Sequence, residues 1–263
     1  MKIIIGDKQG YKINGSMKFL KYVEPGPDYT EPFYVENMSE SEMVLEINNS
    51  RYYTSYPNVY KSYDKVNWEN VGTPSCNISI PVGGKVYLRS KVSCWGPSRS
   101  NGGPAYIRSS SEYRIGGNIM SLLQGEDFSG EIGTLTSTNS RTFQGFINNG
   151  ANTYDGLIDA SLLLLPGNTC EYCYYDMFGY STNLTKAPLL PAETLTNNCY
   201  QYMFSRCSSL SEVKCLASDM SAADCLKGWM NVVPATGTFY KKAGVTWPSG
   251  GSGIPNGWTV VEV

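Results

Sequence analysis

At 263 residues the chain can form one large core or two modest ones, since cores commonly divide above roughly 250 residues. Hydrophobic residues at 41% and aromatics at 13% exclude a disordered chain, while charged residues at only 17%, with Gly 27 and Pro 14, favour short strands and turns over long helices. The 21 basic and 23 acidic residues form no long block, so there is no electrostatic reason to bind nucleic acid or an anionic membrane. Histidine is absent, which removes the commonest general base, the commonest neutral metal ligand and every imidazole triad.

In chain order, Met1-Lys2-Ile3-Ile4-Ile5 is too short for a secretory h-region, which predicts a chain with no signal peptide. Val44-Leu45-Glu46-Ile47 and Cys76-Asn77-Ile78-Ser79-Ile80 alternate as half-buried strands do. Pro81-Val82-Gly83-Gly84 then makes a turn before the alternating Lys85-Val86-Tyr87-Leu88-Arg89, and a hairpin is the simplest reading of that pair. Together with Val66 and Trp68 these runs predict an antiparallel β-sandwich or barrel-like domain over 1–112. Residues 91–112 form a polar loop holding Trp95, followed by a strand at Ala105 to Ile107.

The second half carries an internal repeat. Cys173-Tyr174-Tyr175-Asp176-Met177-Phe178 recurs as Cys199-Tyr200-Gln201-Tyr202-Met203-Phe204, displaced by 26, and the same step joins Leu184 to Leu210 and Cys199 to Cys225. Trp229-Met230 stands in the place of Met203-Phe204. That spacing falls within the range of leucine-rich repeats. It predicts a short helical turn built from the Cys, Met and Phe positions and a short strand holding the following Leu. The predicted repeat core is therefore Cys173, Met177, Phe178, Leu184, Cys199, Met203, Phe204, Leu210, Cys225 and Trp229. Residues 129–165 hold an atypical first unit with Phe143, Phe146, Ile147, Leu157 and Ile158. The stack with its transition segment spans 113–236, and the aromatic tail 237–263 is expected to cap its last apolar edge. The fold class is thus mixed and β-rich: a sandwich-like front, a short leucine-rich-repeat-like solenoid and a C-terminal cap. Ala160 to Pro166 is far too short to cross a bilayer.

Leu190-Pro191-Ala192-Glu193-Thr194-Leu195, running into Cys199 to Leu210, resembles the BspA-like leucine-rich repeat proteins abundant in gut Bacteroidales and their bacteriophages. The ending from Cys215 to Met220, Gly237 to Tyr240 and Ile254 to Val260 resembles the usual end of those proteins. The resemblance covers about residues 165–263, and more weakly Tyr63 to Trp68 and Gly116 to Leu123. It implies adhesion or attachment and carries no catalytic residues across. Combined with the expected lack of a signal peptide, it points to a non-enzymatic bacteriophage virion structural or attachment protein, with a bacterial cell-surface adhesin or glycan-binding protein as the alternative. The implied partners are other virion or surface proteins, bacterial or mucosal glycans, and further copies of the chain.

Eight cysteines invite a chemical reading. Cys170-x-x-Cys173 has the spacing of a metal knuckle or redox pair, but a second close pair is missing. Buried thiols acting as small hydrophobes explain the Cys173, Cys199 and Cys225 register directly; disulfide formation and zinc or iron binding are the alternatives. Asp155, Asp159, Glu171 and Asp176 lack a spacing that would set two carboxylates across a glycosidic bond. No metal or cofactor is expected. Tyr52, Tyr53, Tyr56, Tyr60 and Tyr63 leading to Trp68 are too crowded for one small core, so Tyr56, Tyr60, Tyr63, Trp68 and, in the polar loop, Trp95 are the candidate ligand contacts.

Overall fold

A computed structural model describes residues 27–49, 58–72, 75–92, 94–95, 104–147 and 155–263, together with three strands nearer the N-terminus. Those three, β1 (Ile3–Ile5), β2 (Lys8–Ile13) and β3 (Ser16–Phe19), make a small antiparallel sheet. There follow β4 (Tyr34–Asn37), β5 (Met43–Asn49), β6 (Val59–Ser62), β7 (Glu69–Asn70), β8 (Ser75–Ile80), β9 (Lys85–Ser90), β10 (Pro104–Arg108) and β11 (Tyr113–Asn118). After the short helix α1 (Ser121–Gln124) come β12 (Leu157–Leu164), β13 (Lys186–Leu190), β14 (Glu212–Cys215), β15 (Thr238–Lys241) and β16 (Thr259–Glu262). Among the described residues the architecture is mixed and mostly β, with one small α-helix.

Alternation decides the front. Met43, Leu45 and Ile47 are buried opposite Ile80, Ile78 and Cys76, while Val44 points out. The strands on either side of Pro81-Val82-Gly83-Gly84 form as expected, and the turn closes through Gly84 N–H to Pro81 O at 2.9 Å. The hairpin itself does not form. β8 pairs with β5 in a three-stranded sheet, whereas β9 pairs with β4 and β6 in a ten-stranded one. Asn37 holds the chain at this divergence by donating through Nδ2 to the carbonyls of Ile80 and Pro81 at 3.0 and 3.1 Å. The turn thus hands the chain between sheets whose inner faces, including Leu45, Ile78, Val35, Val86 and Leu88, join one buried cluster.

The ten-stranded sheet runs β16-β15-β14-β13-β12-β11-β4-β9-β6-β7. β11 is antiparallel to β4 on one side and parallel to β12 on the other, so no break in the sheet marks residue 112. Trp95 strengthens this junction: its Nε1 donates to Ser90 Oγ at 2.6 Å and its N–H to Thr142 Oγ1 at 3.0 Å. Phe143 N–H donates to the Trp95 carbonyl, and Trp95 packs edge-on against Phe146.

The expected helical turns of the repeat are replaced by something more open. The amides of Tyr172, Tyr174, Asp176, Phe178 and Tyr180 donate to the carbonyls of Asn197, Cys199, Gln201, Met203 and Ser205 in the next unit at 2.9–3.2 Å. The intervening amides of Cys173, Tyr175, Met177 and Gly179 donate to the carbonyl three residues back. Tyr172, Asp176 and Tyr180 have positive φ, as do Asn198, Tyr202 and Arg206 one unit later. A helix needs negative φ throughout and spends its amides within its own turn. Here every second amide is shared with a neighbour, which satisfies the backbone between units and locks their register.

Side chains stack in the same order. Phe178 lies parallel to Phe204 at 5.5 Å, and Tyr174, Tyr200 and Trp229 form a second column. Cys173, Met177, Phe178, Leu184, Cys199, Met203, Phe204, Leu210, Cys225 and Trp229 are all buried. Leu184 and Leu210 precede their strands instead of lying within them; the inward strand positions are Pro188, Leu190, Val213 and Cys215. The tail, expected as a separate cap, adds β15 and β16 as two further parallel strands, while Trp247 packs over Trp229 and Phe239.

Cys76, Cys170, Cys173, Cys199, Cys207, Cys215 and Cys225 are free thiols, and of the eight cysteines all but Cys76 are buried. Burial pushes the Cys199 thiol up to about 12. Serine at Cys199 is expected to destabilise the fold by about 1–3 kcal/mol because it takes a strongly hydrated hydroxyl into a buried place shaped for sulfur, and alanine to cost less. Denaturant melts of the two variants check the order; rapid thiol labelling of native Cys199 at neutral pH would contradict its burial.

Candidate recognition surface

The outer face of the β4-β9-β6 sheet gathers aromatics and cations because the register puts them opposite one another. Tyr34 faces Tyr87, Glu36 faces Lys85, and Tyr60 faces Arg89 across the strands, while Val35, Val86 and Leu88 point inwards. Gly116 on β11 leaves room for the Tyr34 ring, whose edge meets Tyr87 at 5.9 Å. Lys85 Nζ sits 4.2 Å from the Tyr34 ring centre and Lys65 Nζ 5.3 Å from that of Tyr87. Burial, with Glu31 close by, pushes the Tyr87 hydroxyl up to about 12.

The loop from Ser62 to Trp68 crowns this face, and a carboxylate holds its shape. Asp64 accepts from the backbone N–H of Val66 and Asn67, from Asn67 Nδ2 and from Ser62 Oγ at 2.7–2.9 Å. Those donors hold its pKa far below the usual carboxylate range. Lys65 takes a positive φ at the tip, and its carbonyl accepts from Trp68 Nε1 at 3.1 Å. The Trp68 ring is thereby fixed half-buried, with the Arg89 guanidinium 4.1 Å from its centre. Hollows lie on both sides of it: one of about 320 Å³ lined by Tyr63, Asp64, Asn67, Trp68 and Glu69, the other of about 330 Å³ towards Lys65, Arg89 and Glu126.

Of the aromatic candidates, Tyr60, Tyr63 and Trp68 are brought to this region. Tyr60 is half-buried with Arg89 5.7 Å from its ring centre. Tyr63 is 50% exposed and donates to Ser79 O at 2.8 Å. Tyr56, with Tyr52 and Tyr53, lies outside the described residues. Trp95 is corrected: it is fully buried, because a ring that ties β9 to the first repeat unit has no free face for a ligand. Arg89 and Lys65 were missed as candidates. The signal for Arg89 was its place beside Tyr87 on the outward positions of an alternating strand.

A second aromatic row lies on the turn face of the repeats. Arg141 caps Tyr172 at 4.1 Å, Tyr172 meets Tyr175 at 5.9 Å, and Tyr175 meets Tyr202 edge-on at 5.7 Å. Asp176 lies on the same segment, and burial pushes its carboxyl up to about 6. A folded-state pKa above the unfolded value means a contribution to stability that is fully present below about pH 4 and lost as pH rises through 6. Asp176→Asn is therefore expected to stabilise the protein by about 1–3 kcal/mol at pH 7 and to do little at pH 4. Melts of both proteins across that range check it; parallel profiles would contradict it.

The other acids are dispersed. Asp155 accepts from Thr182 Oγ1 and Asn183 N–H, Asp159 accepts from Ser161 N–H, and Glu171 borders a groove of about 480 Å³ lined mainly by Thr136, Ser140, Thr169, Thr196 and Asn197. Among the described residues no group of three or more Cys, Asp or Glu is placed to hold a metal ion, and no helix is long and apolar enough to cross a membrane. No protein-family model, curated protein or solved structure matches the chain.

Proposed function

We propose that the chain is a non-enzymatic recognition protein, an attachment component of a bacteriophage virion, that presents the Trp68 surface to a glycan. In this reading the front is a β-sandwich-like unit and the remainder a short leucine-rich-repeat-like solenoid that serves as its rigid support. The observation carrying it is the geometry at Trp68: a ring pinned by the Asp64 loop, flanked by two hollows and set among Tyr60, Tyr63, Lys65 and Arg89. A fixed aromatic plane stacks on the apolar face of a sugar at little entropic cost, and the surrounding amide, hydroxyl and charged groups supply direction. The solenoid reading is supported by the 26-residue step, the parallel β12 to β16 and the amide ladder between units. The virion assignment rests on the family resemblance.

Weak sites gain avidity when repeated, so a multimeric or particle-borne array is expected to hold a glycan far better than one copy. Mass spectrometry of purified particles tests the virion assignment and a glycan array tests recognition. Detection in particles together with retained oligosaccharides is the expected result. Binding without any particle association would transfer the reading to a bacterial surface adhesin.

A further inference from the structure

We infer that the hollow between Trp68 and Glu126 is a subsite for a carboxylate-bearing sugar residue, an inference that rests on the recognition reading above. Its volume of about 330 Å³ lies at the small end of ligand sites and suits a single ring. Trp68 and Phe128 supply apolar wall, and Thr30 a hydroxyl at the rim. Arg89 supplies the polar anchor. Its guanidinium carbon lies 4.1 Å from the Trp68 ring centre and 5.7 Å from that of Tyr60, its side chain is 20% exposed, and its Nη2 meets the Glu126 carboxylate only at 3.7 Å. A charged guanidinium with so loose an acceptor favours a carboxylate, the planar group that matches its fork.

The protein's own carboxylates leave that place open. Glu126 approaches Arg89 Nη2 only to 3.7 Å and is 73% exposed, so its interaction is weak and easily exchanged. Lys65, the second cation lining the hollow, stands 3.9 Å from Glu31, whose carboxylate also accepts from the Tyr87 hydroxyl at 3.2 Å. Asp28 also acts on Lys65, so two cations face three carboxylates and the hollow has no surplus of positive charge. An anion enters only by displacing the loose Glu126 contact, which admits a monoanion and disfavours a phosphate dianion or polyanion. A sugar acid combines that single charge with an apolar ring face for Trp68 and hydroxyls for Thr30 and Lys65.

The test is an array carrying uronate- and sialate-bearing oligosaccharides beside their methyl esters and neutral counterparts, probed with the full chain and with Arg89→Gln, Arg89→Lys and Trp68→Ala. Esterification is expected to weaken binding at least about tenfold, the scale of a charge-assisted hydrogen bond. Arg89→Gln should bring acid and ester to near parity, and Arg89→Lys should keep part of the difference. Added salt should weaken the acid and leave the ester unchanged. Equal retention of acid, ester and neutral sugar, lost only in Trp68→Ala, overturns the acidic subsite and leaves glycan recognition standing. Retention of no oligosaccharide at all overturns both. Should Arg89→Gln fail to fold, the acid-to-ester ratio of the unaltered protein and the Arg89→Lys variant still decide the matter.

Discussion

Alanine at Trp229 is expected to cost about 3–5 kcal/mol, the largest effect of any single truncation in the repeat stack. The side chain is fully buried and touches rings from four directions: Tyr200 at 6.3 Å, Phe204 at 6.2 Å, Phe239 at 6.0 Å and Trp247 at 5.7 Å. Its Nε1 donates to Gly253 O at 2.8 Å, which fastens the tail to the last repeat unit. Truncation would leave a cavity at the meeting point of both columns and an unpaired carbonyl in the tail. Phenylalanine at the same position keeps a ring and should cost less. Chemical denaturation reads the result as a lower midpoint with an unchanged slope. A loss under about 1 kcal/mol for alanine would show that the tail does not pack on Trp229.

Alanine at Gly117 should be nearly as damaging, for a backbone reason. Gly117 lies in β11, the strand shared by the antiparallel front and the parallel stack, at φ +75°. A Cβ there would sit inside the van der Waals reach of the Pro32 carbonyl oxygen, a backbone atom that cannot swing aside as a side chain would. The next residue, Asn118, bridges to Pro32 and donates through Nδ2 to the carbonyls of Tyr29 and Glu131 at 3.1 and 2.9 Å, so this end of the strand is fastened on several sides. Positive φ costs a non-glycine residue about 1–2 kcal/mol, and overpacking adds about 1–3 kcal/mol. A total of roughly 2–5 kcal/mol is expected, with both halves of the sheet losing protection in amide hydrogen exchange. Loss confined to one half would mean that β11 does not couple them.

The repeat was legible because identical neighbours impose identical burial. Cys173 and Cys199, Met177 and Met203, and Phe178 and Phe204 occupy corresponding buried places. Their local conformation was not legible: apolar residues at steps of four fit a helix as well as a chain of turns. What decides between them is an amide ladder to residues 25 positions away, which no local pattern encodes. The same limit explains the missing hairpin. Gly83 and Gly84 announced a turn truthfully, yet the pairing of β8 with β5 and of β9 with β4 depends on residues 27 to 53 positions apart. Tyr63 and Trp68 could be chosen from crowding alone, but Trp95 sits in a polar stretch and gave no local sign of its anchors at Ser90 and Thr142. Arg89 gained meaning only when β6 was placed beside β9, bringing Tyr60 opposite it.

The central claim, that the Trp68 surface recognises glycans and plays no part in holding the fold, is tested most directly by measuring binding and melting of Trp68→Ala together. The ring is half-buried and lies on the outer face of the sheet, so its loss should lower stability by no more than about 1–2 kcal/mol. Binding to the oligosaccharides retained by the unaltered protein should fall by about tenfold or more, the worth of a stacked aromatic anchor. A variant that melts normally and no longer binds is the predicted result. Undiminished binding by a folded Trp68→Ala protein would contradict the assignment.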